Sequence, residues 1–73
     1  MSAHDYEIDV RPLADDLGGG FVATVPELPG CMSDGETPEE ALNGAYDAVE
    51  CWIAEAARLG RNVPAPARAL RYA

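Results

Sequence analysis

Residues 20–41 read GFVATVPELPGCMSDGETPEEA, and the fold turns on how this stretch divides. Residues 20–25 form a short apolar run rich in β-branched and aromatic side chains, the composition of a central strand. Pro26 and Pro29 end it, because proline has no N–H to give to a sheet ladder. Residues 30–35 read as a third, shorter strand. TPEEA then opens a helix. Thr37 stands at the N-cap, Pro38 at the first helical position, and Glu40 completes a Thr-x-x-Glu capping box. Glu36, Glu39 and Glu40 add negative charge where the helix dipole is positive.

The flanks extend this pattern. Upstream, DYEIDVR at 5–11 alternates strictly, with Tyr6, Ile8 and Val10 on one face and Asp5, Glu7, Asp9 and Arg11 on the other. That is the signature of a half-buried strand. The ADDLGGG segment at 14–20 supplies a turn, and connections this short make the three strands an antiparallel meander. Downstream, Leu42, Ala45, Tyr46, Val49, Trp52, Ile53 and Ala56 recur at helical spacing on one face. Glu40, Asn43, Gly44, Asp47, Cys51, Ala54, Glu55 and Arg58 occupy the other. Gly60 ends the helix, and NVPAP is extended because residues before proline avoid the helical region. Residues 67–72 are expected to return as an edge strand, parallel to the third by a right-handed crossover. The expected architecture is a single α+β domain over 1–73, a two-layer β-β-β-α-β arrangement of one helix on a four-stranded sheet.

A chain of 73 residues buries only roughly 60% of its unfolded surface, so association with another chain is the expected way to complete the core. Residues 21–25 are apolar on both faces while the helix covers one. Phe21, Ala23 and Val25, with Leu70 and Tyr72 of the last strand, are therefore the candidate contacts of a homodimer or tetramer. Charge narrows the partners further. The chain carries 13 acids against 5 basic residues, a formal net charge of −8. All the acids precede residue 56, and four of the five arginines follow it. Such a body repels nucleic acid and attracts a basic protein. Asp34, Glu36, Glu39, Glu40 and Asp47 cluster at the helix start and along its outer face, and form the candidate docking surface for that protein.

Catalytic chemistry finds little support. A two-metal nuclease needs converging carboxylates; Asp9 with Asp47 or Glu50 offers some, but residues 67–73 contain no acid. His4, Cys31 and Cys51 lack zinc-ligand spacing, and GGG at 18–20 lacks the context of a phosphate loop. Cys51, beside Gly44 and Ala54, marks a small-residue patch that another helix or strand can approach. No cofactor is expected. The start, MSAHDYEID, has neither a basic nor an apolar leader region, and no apolar run reaches the ~20 residues of a membrane span. Two cysteines without a framework pattern fit a reduced cytoplasmic protein.

Together, the aromatic strand at 21–25, Val-Pro-Glu-Leu-Pro-Gly at 25–30, Gly-x-Thr-x-x-Glu-Ala at 35–41 and Val-Pro-x-Pro at 63–66 resemble the HicB antitoxin family, over about residues 5–70. The resemblance implies a partial RNase H-like fold. It also implies a role in binding and neutralising a small basic HicA-type ribonuclease that cleaves messenger RNA, by masking its active site. Full-length members usually carry a C-terminal helix-turn-helix or ribbon-helix-helix domain; this chain ends at Ala73 without one, so no direct DNA binding is expected. The alternative expectation is a stand-alone homo-oligomeric binding module without a toxin, and a metal-dependent nuclease ranks third.

Overall fold

The computed structural model describes residues 3–66. Three antiparallel strands, β1 (Asp9–Pro12), β2 (Phe21–Thr24) and β3 (Met32–Gly35), lie in the order β1-β2-β3. One helix, α1 (Pro38–Arg58), crosses them, packing most heavily on β3 and β2. The α+β meander and single helix agree with the sequence. The last strand expected at 67–72, and with it the full RNase H-like arrangement, lies outside the described residues.

The strands are shorter than the patterns suggest. Asp9 pairs with Thr24 and Pro12 with Phe21, so β1 begins only where β2 still has a partner for it. The limit is set just after Val25. Its N–H continues the β3 register by donating to the Cys31 carbonyl at 3.0 Å, and Pro26, the next residue to face β1, has no N–H to continue that ladder. Tyr6, expected within the first strand, instead follows a short helical turn (Ala3–Asp5) and is buried. Its hydroxyl donates to the Pro64 carbonyl at 2.6 Å. The expected inward face nevertheless holds, since Ile8 and Val10 also pack on the core.

VPELPGC is two consecutive β-turns. The Leu28 N–H donates to the Val25 carbonyl at 3.0 Å, with Pro26 at the second turn position. The Cys31 N–H then donates to the Leu28 carbonyl at 3.0 Å, with Pro29 second and Gly30 third. Gly30 has φ +79°, which a type II turn requires at that place and which glycine adopts without steric cost. Doubling back twice drives Leu28, at 0% exposure, into the core. Burial of such a side chain contributes about 1.5–3 kcal/mol.

Both helix ends close as their sequences direct. The Glu40 N–H donates to Thr37 Oγ1 at 3.2 Å. The Glu40 carboxylate accepts from the Glu36 N–H at 2.8 Å, one residue earlier than in the usual box. At the far end Gly60, with φ +70°, lets its own N–H reach the Ala57 carbonyl and the Arg61 N–H reach the Ala56 carbonyl. This is a Schellman closure.

The buried ridge of α1 is Ala41, Ala45, Val49 and Ala56, with Tyr46, Ala48, Trp52 and Ile53 packed beside it. The expected stripe is thus correct in direction, but its centre line is small. Close approach explains this. A Cβ on Gly35 would stand 2.6 Å from the Ala41 nitrogen, and one on Gly44 would stand 2.2 Å from Ser33 Oγ. Gly44 therefore faces β3. It does not belong to the outer patch with Cys51 and Ala54.

Candidate partner-binding surface

Strand register decides which side chains share a face. Val10, Ala23 and Ser33 stand opposite one another, as do Asp9, Thr24 and Met32. Ala23 is fully buried, and its neighbour across β3, Ser33, meets Gly44. The Val10–Ala23–Ser33 face therefore lies under α1. Alternation then sends Asp9, Arg11, Val22, Thr24, Met32 and Asp34 to the other face.

This changes the expected interface between copies. Ala23 and Val25 are 0% and 2% exposed within one chain, and Phe21 packs half-buried on the same core. They are spent on the chain's own helix. The sheet face away from α1 presents Val22, Thr24 and Met32 among charged neighbours, so β2 is not apolar on both sides in the sense expected. Leu70 and Tyr72 lie outside the described residues.

The acidic residues separate into two kinds. Glu40 is committed to capping, as its hydrogen bonds show. Asp34, Glu36, Glu39 and Asp47 are exposed and have no ion pair among the described residues. Glu36 and Glu39 lie at the helix start and Asp47 in the third turn of α1, with Asp34 near the end of β3 on the sheet face away from the helix. Glu50, three residues beyond Asp47 and exposed, extends the band. Its i, i+3 spacing from Asp47 was the available signal. By contrast, Glu55 is bound by Arg58 through two hydrogen bonds, which lower its carboxyl pKa and raise that of the guanidinium.

The carboxylates considered for nuclease chemistry do not converge. Asp9 lies on the sheet face away from α1, whereas Asp47 and Glu50 are exposed on the helix. His4 is exposed, and its ring packs at a tilt against Tyr46 with centroids 4.0 Å apart. No helix among the described residues is long and apolar enough to cross a membrane.

A groove of about 550 Å³ opens at the other end of the helix. The Pro29–Met32 segment forms one wall and Ala48, Cys51, Trp52, Glu55 and Leu59 the other. Trp52 Nε1 donates to the Pro29 carbonyl at 3.0 Å and holds the walls together. Met32 and Leu59 are exposed large apolar side chains at 58% and 48%. Spacing alone showed the two cysteines as scattered; folding brings both to this groove.

The sequence model described as the HicB-like antitoxin of bacterial toxin–antitoxin systems matches residues 6–72. The chain belongs to the HicB-like antitoxin family. The UPF0150 protein ssl0259 of Synechocystis sp. is 37% identical over 60 residues, 82% of this chain and 78% of the relative. The UPF0150 protein Ta0767 of Thermoplasma acidophilum is 33% identical over 52 residues, 71% of this chain and 75% of the relative. No solved structure matches the chain. For a HicB-like antitoxin, the VPELPG stretch now has a structural reason: it is the double turn that buries Leu28 and positions the groove. Membership supports an antitoxin role and implies a toxin as partner.

Proposed function

We propose that this HicB-like chain binds and neutralises a small basic toxin of the HicA type, masking its active site without catalysing a reaction itself. The observation that carries the reading is the band of Asp34, Glu36, Glu39 and Asp47, exposed and without ion pairs among the described residues, on a member of an antitoxin family. Charged groups of this kind steer a cationic partner and set its orientation more than they set raw affinity. The setting of this action is the cytoplasm, where messenger RNA is cleaved. The acidic body does not engage nucleic acid directly.

Co-expression with a basic reading frame encoded beside it tests the proposal. The two products are expected to co-purify, and the chain to restore growth arrested by that product. Asp47→Lys with Glu39→Lys is expected to slow association and flatten its salt dependence, with the fold kept because both positions are exposed. Unchanged binding by that double variant would move the docking surface elsewhere.

A self-associated form is a second part of the reading. Among the described residues β3 ends the sheet, and an edge with free backbone groups favours pairing with another chain. A homodimer or tetramer, joined by edge-strand pairing or across the sheet face away from α1, is expected at micromolar concentration. Sedimentation equilibrium showing only the 7.7 kDa monomer would remove it.

A further inference from the structure

Cys31 and Cys51 both line the groove, Cys31 buried and Cys51 exposed, and both are free thiols. The surrounding frame holds them there from two sides. Cys31 is fixed by its backbone, whose N–H donates to the Leu28 carbonyl and whose carbonyl accepts from the Val25 N–H. Cys51 is followed directly by Trp52, which is tied to Pro29 on the opposite wall. Gly44, seven residues before Cys51 on the same side of α1, meets Ser33, two residues after Cys31, so the two cysteines lie along the same helix–strand seam.

We propose that Cys31 and Cys51 are a dithiol–disulfide pair, which a low-molecular-weight disulfide such as oxidised glutathione converts to an intrachain bond across the groove. The exposed Cys51 thiolate attacks one glutathione sulfur, forming a mixed disulfide and releasing the first glutathione thiolate. The Cys31 thiolate then attacks the Cys51 sulfur and releases the second. Two protein thiols lose two electrons, one glutathione disulfide gains them, and the two thiol protons end on the two released glutathiones. The second step is the slower one. Burial, and then the charge of Cys51, hold the Cys31 thiol above its ordinary range, so little of it is thiolate at neutral pH. Once formed, the bond ties the double turn to α1 and alters the groove as a surface. This inference stands on the thiol pair and does not depend on toxin binding.

The test incubates the reduced full chain with oxidised glutathione, followed by thiol titration and mass spectrometry of a non-reducing digest. Both thiols are expected to disappear, with the mass lower by two hydrogens and the Cys31 peptide joined to the Cys51 peptide of the same chain. Cys51→Ser, at an exposed position that leaves the core intact, is expected to keep Cys31 unmodified over the same period. A lasting glutathione adduct on Cys51 with Cys31 still a thiol would overturn the proposal. Covalent dimers through Cys51 would do the same, as would modification of Cys31 in Cys51→Ser at the parent rate.

Discussion

The two halves of α1 meet the sheet in opposite ways. At the N-terminal half, Gly35 lets the β3 backbone approach that of Ala41 and Gly44 makes room for the Ser33 side chain, and the seam is closed. At the C-terminal half, Trp52 reaches out to the Pro29 carbonyl and leaves an apolar groove beside it. Small residues shut the sandwich at one end, and at the other the walls of an open groove are tied by one large amphipathic side chain. Charge divides in the same sense. The closed end carries the acidic band, while the open end carries two thiols, Met32 and Leu59.

Breaking the core under the double turn beside the open end is expected to have the largest effect. Leu28→Ala removes a fully buried side chain held by two turns that restrict collapse around the gap. A loss of about 3 kcal/mol is expected in denaturant unfolding. A change below about 1 kcal/mol would show that Leu28 contributes little to the core.

Next is the closed end. Gly35→Ala places a methyl 2.6 Å from the Ala41 nitrogen and 2.6 Å from Glu40 Cβ. Because one obstacle is backbone, a loss of about 2 kcal/mol is expected. Gly44→Ala meets mainly the Ser33 hydroxyl, which can rotate, and it gains up to about 1 kcal/mol in helix propensity. It should be close to neutral. Equal losses at the two glycines would remove the distinction between backbone and side-chain contact.

Tyr6→Phe sharpens the comparison beyond the groove, where the chain passes Pro64. It leaves the Pro64 carbonyl without the Tyr6 donor and is expected to cost about 1–2 kcal/mol. Burial first, then the negative charges of Glu27 and Asp5, raise the Tyr6 pKa above its ordinary 10.0. The fold thus favours the neutral phenol. Its contribution is complete below about pH 10 and is lost as pH rises through the folded-state value. Alkaline melts of the parent should show this fall, and those of Tyr6→Phe a smaller one.

The smallest expected loss is at the helix start. Thr37→Ala removes the oxygen that accepts the Glu40 N–H and should cost about 1 kcal/mol. No change in melting temperature would mean that Glu40 and Pro38 suffice to start the helix.

Local chemistry determined the elements of this protein. Thr37, Pro38 and Glu40 start the helix and Gly60 ends it through hydrogen bonds that span a few residues, so each is legible in a short window. The same holds for Pro26 and Pro29–Gly30, whose backbone limits make the turns. The resemblance carried by those motifs also led to the family. What only the tertiary structure decided is where side chains from distant segments meet. Alternation marks Phe21, Ala23 and Val25 as apolar, but only register and the position of α1 show that they fill the chain's own core. Helical spacing puts Gly44 beside Cys51 and Ala54, but the approach of β3 assigns it to the packed side. Cys31 and Cys51 share no local pattern, and their common groove exists because the double turn and Trp52 hold two distant segments face to face. Hydrogen bonds along the chain are set by neighbours in sequence; burial and proximity are set by the whole packed domain.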